Sequence, residues 1–117
     1  MGDLEAAEQI VQNNLTLTRQ TGTTHYEAET ACLLALIRAA QGMQEEAARL
    51  FEQAIAILES LGSRLELGKT LFYQARAQSA WGEAQPARRS LQRAQELFEA
   101  CHAGFWVDKA RERLGEI

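Results

Sequence analysis

The sequence contains few of the residues that favour β-strands and no long apolar run of the kind that spans a membrane. Its 117 residues include one proline and two valines, and aromatic residues make up 7%. Valine and the aromatic residues are those most enriched in β-strands, so a large sheet is not expected. No apolar run approaches the roughly 20 residues that a membrane-spanning helix needs. The sequence therefore predicts a helical domain that does not span a membrane.

The patterns that indicate catalysis or metal binding are also missing. Cys32 and Cys101 have no metal-type spacing and no secretory signal precedes them, so we expect reduced thiols in a cytoplasmic protein. His25 and His102 lie at predicted helix boundaries without an HxxxH or CxxC companion. No glycine-rich nucleotide-binding motif occurs. We predict a protein that is not an enzyme and has no cofactor and no metal.

The net charge of −4 argues against a nucleic-acid surface, because phosphate binding depends on clustered cations. Residues 1–60 carry nine acidic side chains against three arginines, a net charge of −6, whereas residues 61–117 carry nine basic and seven acidic side chains, +2. This asymmetry could favour head-to-tail contact, although solvated surfaces often differ as much. Arg93 is expected to pair with Glu96, three residues further along a helix.

What the sequence does contain is a repeat with a period of forty residues. The segment from Thr70 to Ala100 aligns in sequence with the segment from Thr30 to Ser60 without a gap. Small or apolar residues coincide in the pairs Ala35/Ala75, Ala40/Ala80, Gly42/Gly82, Ala47/Ala87, Phe51/Leu91, Ala54/Ala94 and Ile57/Leu97. A fixed period of this length is typical of stacked helical repeats.

Glycine recurs every twenty residues and closes successive segments of helical periodicity, at Gly22, Gly42, Gly62 and Gly82. The predicted helices cover residues 3–21, 25–41, 44–61, 64–81, 83–100 and 105–116. Thr24 with Glu27, and Ser63 with Glu66, have the spacing of a capping box at a helix start. In the last connection the glycine is shifted by two positions, to Gly104.

These segments resemble the tetratricopeptide repeat. Small residues occur at the family's positions in both copies, at Ala35, Gly42, Ala47 and Ala54 and at Ala75, Gly82, Ala87 and Ala94, with Phe51 and Leu91 at a larger position. The period of forty exceeds the ~34 residues of the standard repeat and is similar to the extended variant of large bacterial multidomain regulators. HEAT repeats are the minor alternative.

The resemblance implies an all-α fold, a right-handed superhelix of stacked antiparallel helix pairs with about six helices. We interpret residues 1–117 as one domain with a half repeat (3–22), two repeats (23–62 and 63–102) and a partial repeat or capping helix (103–117). Met1 and Gly2 stand directly before a predicted helix, so we expect the chain to be a piece of a longer protein.

In the family, the first helices of the repeats line a concave binding face. On that analogy the groove is lined by Glu29, Cys32, Leu36, Lys69, Phe72, Arg76, Ser79 and Lys109. Cations around Phe72 suit an extended or helical peptide with acidic and apolar side chains. The alternative is that Phe72 packs against a neighbour and the cations are solvated. The asparagines of the chaperone-type carboxylate clamp are absent from these positions, so a reader of C-terminal carboxylates is not expected.

The resemblance therefore implies a protein-interaction scaffold in a bacterial regulatory or signalling protein. A second hypothesis is an effector-sensing domain that binds a small ligand among Cys32, Phe72, Tyr73 and Arg76.

A homodimer through the terminal half-repeats is a further expectation, because stacked repeats expose an apolar face where a neighbour is missing. The C-terminal association residues would be Phe105, Trp106, Leu114 and Ile117, with Trp106 equally compatible with the core.

Overall fold

The computed structural model describes residue 8 and residues 24–116. Residues 24–116 form five helices, α1 (Thr24–Ala40), α2 (Gln44–Leu61), α3 (Arg64–Ala80), α4 (Ala84–Ala100) and α5 (Gly104–Glu116). No strand occurs in these residues, so the prediction of an all-α fold is confirmed. The half repeat predicted over residues 3–22 lies outside the described residues, except for Glu8, which is helical.

The connection between α1 and α2 shows how the chain turns from one helix into the next. The N–H of Gly42 donates to the carbonyl of Ala39 at 3.1 Å, and the N–H of Met43 donates to the carbonyl of Arg38 at 2.9 Å. These two bonds form a Schellman motif, which satisfies carbonyl groups left over at a helix end. Gly42 has a φ of 79°, a left-handed conformation that glycine adopts without a Cβ clash.

The same pair of hydrogen bonds closes α2, α3 and α4. The left-handed residues are Gly62 (φ 68°), Gly82 (φ 80°) and His102 (φ 56°). The residue that follows each turn also opens the next helix: the carbonyls of Met43, Ser63, Glu83 and Ala103 accept bonds from the N–H groups of Ala47, Leu67, Ala87 and Val107. Each described connection is therefore as short as the Schellman geometry allows.

The last turn takes its left-handed residue from a position other than the shifted glycine. Gly104 is the first residue of α5, whereas His102 occupies the left-handed position. The spacing of twenty residues from Gly82 is therefore kept, with histidine in place of glycine. Histidine tolerates this conformation better than most residues, but its Cβ still makes an unfavourable steric contact with the backbone there.

Replacing His102 with glycine should therefore stabilise the protein. We expect the free energy of unfolding to rise by roughly 0.5–1 kcal/mol, because the relief of the left-handed strain exceeds the greater chain entropy of unfolded glycine. Urea denaturation followed by circular dichroism measures the change. Gly82→His is the matched control and should cost a similar amount, since a Cβ at Gly82 meets no atom within 4 Å. Equal stability of all three proteins would contradict this account.

The capping box predicted at the start of α3 does not form. Ser63 precedes α3 but makes no side-chain cap hydrogen bond, with φ −83° and ψ 80°. Its backbone already serves the Schellman turn that closes α2, and this holds it outside the β-region geometry that favours capping. Thr24 is the first residue of α1 and not the residue before it.

The buried positions follow the forty-residue repeat. The chain divides into two compact units, residues 1–57 and residues 58–117. In the first unit the buried repeat positions are Ala35, Ala47, Phe51 and Ala54, and in the second they are Ala75, Ala87, Leu91 and Ala94. Equivalent positions also agree where they are not buried, since Ala40 and Ala80 are both exposed and Ile57 and Leu97 are both half-buried.

In the N-terminal unit, Arg38 joins α1 to α2 and to residue 8. Its Nε lies 3.0 Å from Oε1 of Glu46, and its Nη1 lies 2.6 Å from Oε1 of Glu8. The side-chain amide of Gln41 donates to the other oxygen of Glu8 at 2.8 Å. The Gln41 amide, followed by the Arg38 guanidinium, lowers the pKa of Glu8, which keeps this carboxylate ionised for the pair.

In the C-terminal unit, α3 packs against α4 and α4 packs against α5. Gly68 of α3 lies against the ring of Phe98 of α4, and a Cβ built on Gly68 would be only 2.6 Å from Cε1 of that ring. Further along the same pair of helices, the Ser90 hydroxyl donates to Oε1 of Gln78 at 2.9 Å. The close approach at Gly68 fixes the position of the Phe98 ring. Phe98 in turn positions the aromatic side chains described in the next section.

Candidate functional site

Trp106 of α5 is the centre of an aromatic cluster in the C-terminal unit. Its ring stacks on Phe98, with the centroids 5.4 Å apart and an interplanar angle of 29°. Phe72 and Tyr73 of α3 meet it edge to face at 5.7 and 6.4 Å, and Phe105 does so at 5.6 Å. Such edge-to-face and offset contacts are the preferred geometries of aromatic pairs. The cluster therefore joins α3, α4 and α5.

Part of this cluster remains open to solvent in a cleft of about 430 Å³, which we call the α3–α5 cleft. The residues that line it are Phe72, Tyr73, Arg76, Phe105, Trp106, Lys109, Glu112, Arg113 and Glu116. A smaller depression of about 140 Å³ shares Arg76, Arg113 and Glu116 with the cleft, and Ser79 lies in its wall. The aromatic floor is thus bordered by charged side chains of α3 and α5.

The cleft border carries three cations, Arg76, Lys109 and Arg113, against the carboxylates of Glu112 and Glu116. Arg113 is paired, with Nη1 3.3 Å from Oε2 of Glu116, and Nζ of Lys109 lies 5.4 Å from the ring centroid of Phe105. Within residues 24–116, no carboxylate lies at ion-pairing distance from the exposed Arg76. The Arg76 guanidinium is therefore available to a carboxylate from another molecule.

The structure brings together the groove residues that were predicted in the C-terminal unit. Phe72, Arg76 and Lys109 line the α3–α5 cleft, Ser79 lies in the adjoining depression, and Nζ of Lys69 stands 5.4 Å from the ring centroid of Trp106. Phe72 is only 6% exposed and packs in the cluster, and its remaining surface faces the cleft, so its part in binding stays a prediction.

The other predicted groove residues belong to α1 in the N-terminal unit. Glu29 is exposed, Leu36 is half-buried and Cys32 is buried. None of the three lines the α3–α5 cleft. Their part in a groove stays a prediction, and for Cys32 the burial leaves little side-chain surface for a ligand.

The predicted association residues differ in exposure. Phe105 is 66% exposed, whereas Trp106 and Leu114 are half-buried, and Ile117 lies outside the described residues. Trp106 stands in the aromatic cluster and so belongs to the core and to the cleft at once. Association through this end stays a prediction.

Sequence reasoning missed two charged residues of the cleft, Arg113 and Glu116. Both follow Lys109 at four and seven residues, the spacing that places side chains on one helix face. Continuing the predicted groove from Lys109 along the same face of its helix would have identified both residues.

The helix pairs and the small residues at their buried positions point to a repeat family. The family model described as tetratricopeptide repeat matches residues 1–60, just over half of the chain. The chain belongs to the tetratricopeptide repeat family. The match covers α1 and nearly all of α2, and the forty-residue period carries the pattern of this tetratricopeptide repeat into α3 and α4.

Tetratricopeptide repeats generally mediate protein–protein interaction and are typically not catalytic. No curated protein matches this tetratricopeptide repeat chain. In the part of the chain that the structure describes, no helix is both long and apolar enough to cross a membrane. The same residues contain no group of three His, Cys, Asp or Glu side chains that could hold a metal ion.

Proposed function

We propose that this tetratricopeptide repeat domain is a scaffold that binds a partner protein through a peptide segment seated in the α3–α5 cleft. The segment carries acidic and apolar side chains and is helical or extended. The observation that carries the proposal is the partly open aromatic floor beside the guanidinium of Arg76, which has no carboxylate partner within residues 24–116.

The aromatic floor supplies the apolar part of this recognition. Phe105 is largely exposed, and Tyr73 and Trp106 are half-buried, so a continuous aromatic surface meets solvent. Covering apolar surface contributes roughly 25 cal/mol per Å². An aliphatic or aromatic side chain of the partner would therefore gain most of its binding free energy here, since aromatic residues in pockets are frequent hot spots.

The cations supply the selection for acidic segments. Arg76 offers a planar fork of donors that suits a carboxylate, and Lys109 stands on the opposite helix of the cleft. Glu112 and the paired Glu116 would repel a second acidic group placed near them. We infer that the partner presents its carboxylate on the side of the cleft that α3 forms.

Selection of peptides from a random displayed library tests this function. The selected peptides should combine Asp or Glu with an aromatic residue or leucine, because those groups complement the floor and Arg76. Affinity measured by fluorescence anisotropy should fall about tenfold or more for the double variant Arg76→Glu with Lys109→Glu, a loss of at least about 1.4 kcal/mol.

The double variant Arg89→Glu with Arg111→Glu is the matched control. It changes the net charge equally, and both side chains are exposed and do not line the cleft. Equal losses in the two double variants would show that overall charge, and not the cleft, drives binding. Selected peptides rich in Lys or Arg would contradict the proposal directly.

A small aromatic carboxylic acid is the second candidate, since a volume of about 430 Å³ lies in the range of ligand pockets. Failure of the library to yield a consensus, together with a Tm that rises with the logarithm of the acid concentration, would favour this effector-sensing role. In either case we place the domain in a cytoplasmic regulatory or signalling protein of bacteria. The basis is the resemblance of its forty-residue period to the extended repeats of such proteins.

A further inference from the structure

An exposed stripe of three side chains runs along α1 in the N-terminal unit. Tyr26 is 63% exposed and Leu33 is 49% exposed, and the exposed Glu29 lies between them. Residues at positions i, i+3 and i+7 share one face of a helix, so the three side chains form a continuous surface. This α1 stripe combines an aromatic, an acidic and an aliphatic group.

The two units carry charges of opposite sign. Residues 1–57 contain eight acidic and three basic side chains, a net charge of −5, whereas residues 58–117 contain eight acidic and nine basic side chains, +1. The same contrast holds locally, since the α1 stripe presents Glu29 and the α3–α5 cleft presents Arg76 and Lys109. Complementary charges of this kind guide the register of an association and raise its rate.

We propose that the α1 stripe of one copy docks in the α3–α5 cleft of a second copy. A helix enters a groove through side chains at i, i+3 and i+7, which is the spacing of Tyr26, Glu29 and Leu33. Tyr26 and Leu33 cover the aromatic floor, and the Glu29 carboxylate pairs with the guanidinium of Arg76.

The stripe and the cleft are different surfaces, so the contact is heterologous. Each copy offers one of each, and a copy whose cleft holds a stripe cannot bind a partner peptide in that cleft. Self-association therefore competes with partner binding. The two proposals fail separately, because a strictly monomeric chain could still bind selected peptides and a self-associating chain could bind none.

Complementation between two variants tests the proposal. Leu33→Glu disrupts the stripe and leaves the cleft, whereas Phe105→Glu disrupts the aromatic floor of the cleft and leaves the stripe. Both side chains are exposed, so both variants should fold. Light scattering after size-exclusion chromatography should show self-association of the wild-type chain over a concentration series. Each variant alone should weaken association about tenfold or more, and an equimolar mixture should form a one-to-one heterodimer.

Leu61→Glu is the control, since Leu61 is exposed to a similar degree but lies in neither surface. This variant should associate as the wild type does, and circular dichroism verifies that all three variants are folded. A wild-type chain that stays monomeric at high concentration overturns the proposal. It is equally overturned if Leu33→Glu still associates, or if the mixture forms no heterodimer, because the contact would then be of another kind.

Discussion

Replacing Gly68 with alanine is expected to destabilise the protein by about 2–3 kcal/mol, the usual range for overpacking a close contact. Glycine inside a helix normally costs roughly 0.5–1 kcal/mol relative to alanine, so the expected sign is the reverse of the usual one. The reason is the ring of Phe98, whose Cε1 and Cδ1 would lie 2.6 and 3.0 Å from the new Cβ. Phe98 is fully buried and stacks on Trp106, so it has no free space into which to move.

Chemical denaturation of Gly68→Ala and Gly115→Ala separates packing from helix propensity. Gly115 lies in α5, where an added Cβ meets no atom within 4 Å, so alanine there should be neutral or stabilise by a few tenths of a kcal/mol. Combining Gly68→Ala with Phe98→Leu should recover part of the loss, because the smaller side chain vacates the clash. If Gly68→Ala changes the free energy of unfolding no more than Gly115→Ala does, the result contradicts the close approach of α3 and α4 at Gly68.

Truncating Phe51 should have the largest effect of any single substitution in the N-terminal unit. Phe51→Ala is expected to cost about 3–5 kcal/mol, since its side chain is fully buried and its removal leaves a cavity. The same denaturation experiment measures the loss. Phe51→Leu is a control supplied by the chain, because leucine occupies the equivalent position of the second repeat, at Leu91.

We expect Phe51→Leu to cost about 1–1.5 kcal/mol, as a change that keeps the apolar character and most of the volume. A large loss in both variants would mean that the position demands an aromatic ring, and that the two repeats do not share one packing rule. A small loss in both would mean that Phe51 is not part of a cooperative core.

The period of forty residues was sufficient to predict that equivalent positions of the two repeats share the same degree of burial at the small and apolar sites compared above. Ala47 and Ala87 are buried alike, and so are Phe51 and Leu91, because a repeated sequence with a repeated helical periodicity places the same face inward. The spacing of glycines predicted the turns for the same reason. It was misleading only at His102, where the backbone conformation continues although the residue type changes.

Contacts between side chains distant in sequence were beyond such reasoning. Arg93 was expected to pair with Glu96 but lies 3.0 Å from Glu59, thirty-four residues away. Periodicity identifies the face on which a charge lies, whereas its partner depends on which helices are neighbours. Both side chains of this pair are about half exposed, so it contributes at most about 1 kcal/mol.

The candidate site was predicted in part and for a related reason. Phe72, Arg76 and Lys109 were expected in a groove and do line one cleft. The sequence left the place of Trp106 open between core and interface, and in the structure its ring packs in the aromatic cluster and lines the cleft. Sequence alone gives no angle between rings, and the openness of the cleft depends on how Trp106 is held by Phe98.

The Schellman turns also limit how this molecule can diversify. One residue closes each helix in the left-handed conformation, and the very next residue starts the following helix, as at Gly82 and Glu83. No slack remains in which an insertion could grow into a recognition loop, and adding a residue would rotate every helical face that follows by about 100°. Among the described helices, new binding specificity must therefore arise by substitution of side chains on the helix faces, without a change in the backbone.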